Sequence, residues 1–215
     1  MHHIVVNYCH LTKVCSGCAA VPWQPGEEQK TILSVIPIYH IYGLAVNTLH
    51  TLLYGAKVVI MPKFEPGTFL ASMAKHQPTH LNIVPPLVTF LALSPAVQRE
   101  VHLAKLTCIA SGGSPLSSQV LQLLLPLLVS CLQIVTATRA KLGFCELKEG
   151  YGMTETSGGV TRTRVDMEER HRGTVGTLIA GTEARVEDPA TGQLVGVGVP
   201  GELVVRGPQV RHKHK

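Results

Sequence analysis

Short, uninterrupted apolar runs alternate with longer stretches of helical character between residues 31 and 110 of this chain. Strands that are apolar on both faces are typical of parallel sheets, in which crossover helices cover each side. The pattern therefore predicts an α/β fold with a mostly parallel sheet flanked by helices. The predicted strands are residues 32–36, 56–61, 81–84 and 106–110.

Helices are predicted in the intervals between these strands. The first has apolar residues at mixed three-residue spacing and is followed by Gly55, which suits a C-terminal cap. The second begins with Pro66, and proline is favoured in the first helical turn. Pro85 and Pro86 are expected to stop the strand that precedes the third. The predicted helices span residues 42–53, 66–76 and 87–93.

The character of the chain changes after Gly173, where predicted strands at 175–186 and 203–205 are separated by two turn clusters. Clusters of Gly, Pro, Asp and Thr such as 188–192 mark turns, and strands joined in this way indicate a small antiparallel unit. We therefore place a boundary near Arg172.

The composition favours a folded globular protein and argues against a disordered, nucleic-acid-binding or membrane-spanning one. The chain has 215 residues, of which 45% are hydrophobic and 15% charged, so a sizeable core is expected and disorder is not. The formal charge of +5 is spread out, and its local concentrations lack interleaved aromatics, which argues against nucleic-acid binding. Residues 120–135, the most apolar stretch, are too short to span a bilayer.

Six cysteines occur without a preceding secretory signal, which fits reduced thiols in an intracellular protein. The Cys-x-x-Cys at residues 15–18 has no second such pair, so a metal site there is not expected.

The run from Glu149 to Thr156 carries the residue types that a nucleotide with its metal requires. Tyr151 offers a ring for the base, glycines allow the backbone to approach, Thr154 offers a hydroxyl to phosphate, and Glu155 a carboxylate to a hard cation. The alternative is a turn at a strand end with a solvated Thr-Glu pair.

Two further segments follow predicted strands. In Ser111-Gly-Gly-Ser114-Pro115, a strand leads through glycines into a helix that Ser114 could cap, unless this is an ordinary turn. In the segment 37–43, His40 and Tyr42 are two residues apart and could face one cleft, or could be packed in the core. All three segments follow strands of one sheet, and ligands of open α/β sheets bind at the carboxyl ends of strands.

Together these residues resemble the adenylate-forming superfamily of acyl-CoA synthetases, 4-coumarate–CoA ligases and luciferases. Residues 151–155 are similar to its Tyr-Gly-x-Thr-Glu motif, residues 110–116 to its Gly-Gly-Ala-Pro-Leu loop with Ser114 in place of Ala, and residues 37–43 to its Pro-x-x-His-x-x-Gly segment. The resemblance extends over most of residues 31–120 and 140–210.

The resemblance implies that a carboxylic acid attacks ATP to give an acyl-adenylate, and that coenzyme A then displaces AMP. When the family's roles are carried over by position, the resemblance implies an adenine site and a phosphate site that includes Thr154. It also implies that Glu155 holds a magnesium ion, and that Thr154, Glu155 and His40 are the catalytic residues. The cofactor site would comprise Gly113, Ser114, Pro115, Tyr151, Gly152 and Thr154, and the acyl pocket His40, Tyr42, Gly112, Gly150 and Gly152.

On this basis we expect part of an ATP-dependent acid–CoA ligase in the cytoplasm or peroxisome. The partners would be a small carboxylic acid, ATP and coenzyme A. The alternatives are a non-catalytic nucleotide-binding fragment or splice product, and a luciferase-like or peptide-synthetase-type adenylating enzyme. The expected organisation is a poorly defined segment 1–30, a nucleotide- and acyl-binding subdomain 31–172, and a partial β subdomain 173–215.

Three departures from the family pattern lead to a further expectation. The phosphate loop would precede residue 1, the C-terminal lid with its lysine would follow residue 215, and residues 124–139 resemble an insertion. The last four residues form an unmatched basic tail. We therefore expect the isolated chain to be inactive and poorly soluble, because donors to the developing phosphate charge would be missing and apolar surface would be exposed.

Overall fold

A computed structural model of the chain describes residues 24–95, 97, 105–115, 146–163 and 174–210. Four features predicted from sequence lie outside these residues. They are the Cys-x-x-Cys motif, the insertion 124–139, the boundary at Arg172 and the basic tail.

A seven-stranded sheet organises the chain, in the order β2-β1-β3-β4-β5-β6-β7. The first five strands in this order are parallel, and β6 and β7 continue the sheet antiparallel to β5. The predicted fold class is therefore confirmed. The strands are β1 (Thr31–Ser34), β2 (Lys57–Ile60), β3 (His80–Ile83), β4 (Cys108–Ser111), β5 (Glu146–Tyr151), β6 (Thr161–Arg162) and β7 (Thr177–Leu178).

In the described part of the chain, three helices connect β1, β2, β3 and β4, as the sequence predicts. In the first, residues Tyr42–His50 form a π-helix that continues as an α-helical turn, Thr51–Leu53, and we call the whole α1. The second, α2 (Pro66–His76), has the predicted bounds. The third, α3 (Pro85–Leu93), begins two residues earlier than predicted. Pro85 and Pro86 form its first turn, where the missing N–H of proline is no loss.

Helices α1 and α2 cover opposite faces of the sheet. Leu33 packs in the same apolar cluster as Phe69 and Met73 of α2, and all three are fully buried. The next residue, Ser34, points to the other face, where its hydroxyl accepts a 3.0 Å hydrogen bond from the Asn47 amide of α1. The larger cluster, under α2 and α3, forms the main core. Its buried strand residues are Leu33, Leu81, Ile83 and Ile109.

A separate two-stranded antiparallel sheet consists of β8 (Glu183–Glu187) and β9 (Glu202–Arg206). The predicted turn at 188–192 follows β8, and Asp188 stabilises it by accepting a 2.7 Å bond from the Ala190 N–H. Strand β7 still pairs with β6 in the large sheet, so the small sheet begins at Glu183. The division of the chain near Arg172 stays a prediction.

Among the described residues, no helix combines the length and apolar character needed to cross a membrane.

Gly43 at the start of α1 is required by a close backbone contact. A Cβ at this position would lie 2.2 Å from the Pro37 carbonyl oxygen. We expect Gly43→Ala to destabilise the fold by about 2 kcal/mol or more, because the loop before α1 must move to relieve the overlap. Urea unfolding followed by circular dichroism measures the change.

The matched control is Gly67→Ala in α2, where an added Cβ meets no atom within 4 Å. Alanine in an open helical position is expected to be neutral or to stabilise by about 0.5–1 kcal/mol. Equal unfolding midpoints for the two variants would contradict the role given to Gly43.

Candidate functional site

A cavity of about 500 Å³ opens where the carboxyl ends of β4 and β5 meet the start of α1. This volume is in the range of small-molecule sites. The parallel pairing of β4 with β5 creates the opening, because it aligns Ser111 with Glu149 at one edge of the sheet. The lining residues are 40–42, 46 and 50, then 110–113, 148–155, 158, 159, 161, 162 and 179.

Most of the residues predicted from sequence are brought together around this cavity, although they come from three separate segments. Ser114 and Pro115 are the exceptions: both are exposed and neither is among the lining residues. The predicted residues that line the cavity are His40, Tyr42, Gly112, Gly113, Gly150, Tyr151, Gly152, Thr154 and Glu155.

The Tyr42 side chain forms one wall. Its hydroxyl donates a 3.1 Å hydrogen bond to the Ala110 carbonyl of β4. Burial, and secondarily the neighbouring Cys108, raises the pKa of Tyr42 well above its ordinary value, so the phenol stays a neutral donor. A Cβ at Gly112 would lie 3.3 Å from the Tyr42 ring. Glycine at 112 therefore lets the ring cross the end of β4.

His40 is exposed at the mouth of the cavity rather than packed in the core. Its Nδ1 accepts a 3.1 Å hydrogen bond from the Tyr42 backbone N–H. Because Nδ1 is the acceptor in this contact, the ring proton is assigned to Nε2. His40 can therefore present a hydrogen-bond donor to a ligand.

Thr154 and Glu155 lie on a short 3-10 turn, Thr154–Thr156, directly after β5, and both are exposed to the cavity. The turn is held by the buried Thr156, whose hydroxyl donates to the Met153 carbonyl and accepts from its N–H. The Ser157 hydroxyl donates a 2.9 Å bond to the Gln209 carbonyl. These contacts anchor the turn, while Thr154 and Glu155 stay exposed at the cavity.

Gly152 allows the chain to fold back against itself beside this turn. A Cβ on Gly152 would lie 2.3 Å from the Gly158 carbonyl oxygen. Any side chain there would push residue 158 away and open the cavity wall. Gly152 is thus a steric requirement of the loop.

Within the described part of the chain, no group of three or more His, Cys, Asp or Glu side chains could hold a metal ion. Magnesium does not need such a cage, because it is commonly held by one or two carboxylates together with phosphate oxygens and waters. Glu155, exposed at the cavity, fits that arrangement.

Sequence reasoning did not single out His50, Ser111 and Arg162 as site residues, although all three line the cavity. One signal for His50 was present, since Tyr42, Val46 and His50 are four residues apart and share a face of α1. Burial, and secondarily the charge of Arg162, lowers the pKa of His50 to about 4. Ser111 was placed only at the start of the predicted glycine turn, and nothing in the sequence distinguishes Arg162 from an ordinary strand residue.

Residues 2–212 match the family described as AMP-binding enzyme. The chain belongs to this family. Proteins similar to it include 4-coumarate–CoA ligase-like 8 of Arabidopsis thaliana, which is 33% identical over 87% of this chain and 32% of its own length. Luciferin 4-monooxygenase of Photinus pyralis is 35% identical over 95% of this chain and 33% of its own length. The chain thus spans about a third of the length of these relatives.

Solved structures show the same architecture. The crystal structure of ATP-bound MatB from Rhodopseudomonas palustris superposes with a TM-score of 0.73 at 29% identity, over 95% of this chain and 36% of the MatB chain. Membership of the AMP-binding enzyme family, with the large sheet and the small antiparallel sheet, confirms the resemblance seen in the sequence.

The lowered pKa of His50 predicts a pH dependence of stability. Below pH 6.5 the unfolded chain protonates His50, whereas the folded chain does so only near pH 4. The folded state therefore keeps its full stability above pH 6.5 and loses stability as the pH falls from 6.5 toward 4. Between pH 7 and pH 4.5, we expect the wild type to lose about 1–3 kcal/mol more stability than His50→Gln. Urea unfolding of both proteins across this range provides the comparison, and parallel pH profiles would rule the effect out.

Proposed function

We propose that this chain supplies one wall of the active site of an ATP-dependent acid–CoA ligase of the AMP-forming type. The observation that supports the proposal most directly is the convergence of nine residues, predicted from three separate segments, around one cavity. Membership of the AMP-binding enzyme family adds the nucleotide as the expected ligand.

The adenine is assigned to the side of the cavity between Gly113 and Tyr151. The Tyr151 ring is 38% exposed at the end of β5 and can stack on a base. Gly113 has a φ of +89°, a conformation that favours glycine, and the absence of a side chain leaves its side of the cavity open to a flat ring. Ser114 and Pro115 would contribute from the segment that follows, outside the cavity lining.

The phosphates are assigned to the turn after β5. The Thr154 hydroxyl would hydrogen-bond the α-phosphate, Gly152 would let the backbone approach, and Glu155 would hold magnesium with the phosphate oxygens. When bound, the magnesium ion would neutralise phosphate charge as the acyl-adenylate forms. Because Thr154 and Glu155 are held on one anchored turn, their relative position is set before nucleotide arrives.

The carboxylic acid is assigned to the side of the cavity bounded by His40, Tyr42 and the glycines at 112, 150 and 152. His40 would donate from Nε2 to a carboxylate or phosphate oxygen near the reacting atoms. Tyr42 limits the width of the pocket, since its hydroxyl is held on Ala110. Coenzyme A would then take the acyl group from AMP as a thioester.

We propose two other functions as alternatives. The similarity to luciferin 4-monooxygenase favours an adenylating enzyme with a different second step. Formation of a thioester with coenzyme A would distinguish the acid–CoA ligase from such an enzyme. A non-catalytic nucleotide-binding role would be distinguished by nucleotide binding without turnover.

The compartment is proposed as cytoplasmic or peroxisomal, and one relative at 33% identity is named Peroxisomal OPC-8:0-CoA ligase 1.

The assignment of magnesium to Glu155 can be tested by binding. We expect Glu155→Gln to weaken magnesium-dependent ATP binding about tenfold, through loss of one carboxylate ligand, and to leave AMP binding without metal unchanged. Isothermal titration calorimetry of the 215-residue chain, with and without Mg²⁺, measures both. The matched control is Glu202→Gln on the exposed part of β9, which should change neither. An unaltered magnesium dependence in Glu155→Gln would remove Glu155 from the metal site.

Turnover by the 215-residue polypeptide is a separate question. We expect it to bind AMP and to show almost no ATP–pyrophosphate exchange with a panel of carboxylic acids, because it spans about a third of the length of its relatives. Robust exchange by this polypeptide would overturn the expected inactivity and would leave the site assignment in place.

A further inference from the structure

Arg162 has a buried nitrogen that the proposed reaction does not use. Its side chain lines the cavity from β6. The Nε atom is shielded from solvent and has no hydrogen-bond acceptor among the residues that the structure describes. An N–H buried without an acceptor is costly, and more so when it belongs to a charged group. A ligand that supplied the acceptor would remove this cost.

The neighbouring strand leaves room for a ligand beside the guanidinium. In the antiparallel pair, Arg162 lies directly opposite Gly150, so the two residues share a face of the sheet. A Cβ at 150 would lie 3.9 Å from the Arg162 Cβ and 3.0 Å from the Thr161 carbonyl oxygen. Because residue 150 is glycine, the space in front of the Arg162 side chain stays open to the cavity.

The residues that share the Arg162 face of the sheet include a second cation. Lys148, two residues before Gly150, lines the cavity on this face. Glu149 also lines the cavity, from a position at which strand alternation turns a side chain toward the other face. Val46 and Ile179 complete the wall with apolar side chains. The guanidinium is also close enough to His50 to help lower the pKa of that imidazole. This part of the cavity therefore favours a negative charge.

Arg162 is also displaced from the residues assigned to the phosphates. Thr154 and Glu155 follow the end of β5, whereas Arg162 pairs one residue before that end, about 3.3 Å along the strand from the Tyr151–Thr161 pair. The carboxylate that reacts with ATP must lie beside the phosphates. A group bound at Arg162 from the strand side would therefore lie deeper than the reacting carboxylate, as the distal end of the same acid would.

We propose that Arg162 recognises a second acidic group on the carboxylic acid, so that the preferred substrates are short dicarboxylates or acids with an equivalent distal anion. This inference rests on the proposed function and specifies its substrate class. The planar guanidinium would bind the distal carboxylate through two N–H groups, one of them Nε. Acids of the same length without the distal charge would leave Nε unsatisfied and bind more weakly.

The test compares diacids with their monomethyl esters, which have nearly the same shape and one charge less. Binding of the series from succinate to suberate, and of each ester, is measured by calorimetry on the 215-residue chain saturated with AMP. We expect one or two chain lengths to bind at least about tenfold more tightly than their esters, the ratio expected for one charge-assisted pair. We expect Arg162→Gln to abolish this preference and Arg162→Lys to retain part of it.

The matched control is Lys57→Gln, which removes an exposed cation of β2 outside the cavity lining and should keep the preference for diacids. AMP affinity, measured in every variant, reports whether the cavity is folded. Loss of AMP binding in the unmodified chain would overturn the proposed function. If AMP binds, equal affinity for diacids and esters, or a preference that survives in Arg162→Gln, would overturn the role of Arg162 alone. An equal loss of affinity for diacid and ester in Arg162→Gln would overturn it too, since Arg162 would then bind the reacting carboxylate.

Discussion

The parallel pairing of β4 with β5 is the constraint on which the site depends. It places Ser111 beside Glu149, residues that are 38 positions apart in the chain, at one edge of the sheet. The glycine loop after β4 and the Thr154–Thr156 turn after β5 must then open on the same side. Parallel strands end together in this way in any such sheet. A shift of one residue in this register would also turn every side chain of β5 to the other face.

Close contacts at glycines turn that edge into a cavity with defined walls. Gly152 lets the loop return to within contact of Gly158, and Gly112 lets the Tyr42 ring lie across the end of β4. The third, Gly150, leaves the space in front of Arg162 open. Each of these glycines removes a side chain at a point where another group of the site needs the volume. The shape of the cavity is therefore set by the backbone, and its chemistry by the few polar side chains that reach it.

The sheet and most of the site could be predicted, because both depend on patterns that are local in sequence. Apolar runs between helices indicated parallel strands, and β1 to β4 appear at the predicted places. The π-helical form of α1 and the pairing of β7 with the large sheet could not be predicted, since each depends on contacts with distant residues. Arg162 was not predicted as a site residue, because its buried Nε is visible only once β6 is placed against β5.

The central claim is that the ends of β4 and β5 together form an adenine-nucleotide site. Photolabelling of the 215-residue chain with 8-azido-AMP, followed by tryptic digestion, tests it directly. Cleavage at lysine and arginine separates the two strand ends into peptides 106–139 and 149–162. The claim predicts that label falls on these two peptides and is displaced by excess AMP. Label confined to other peptides, or label that excess AMP leaves in place, would contradict it.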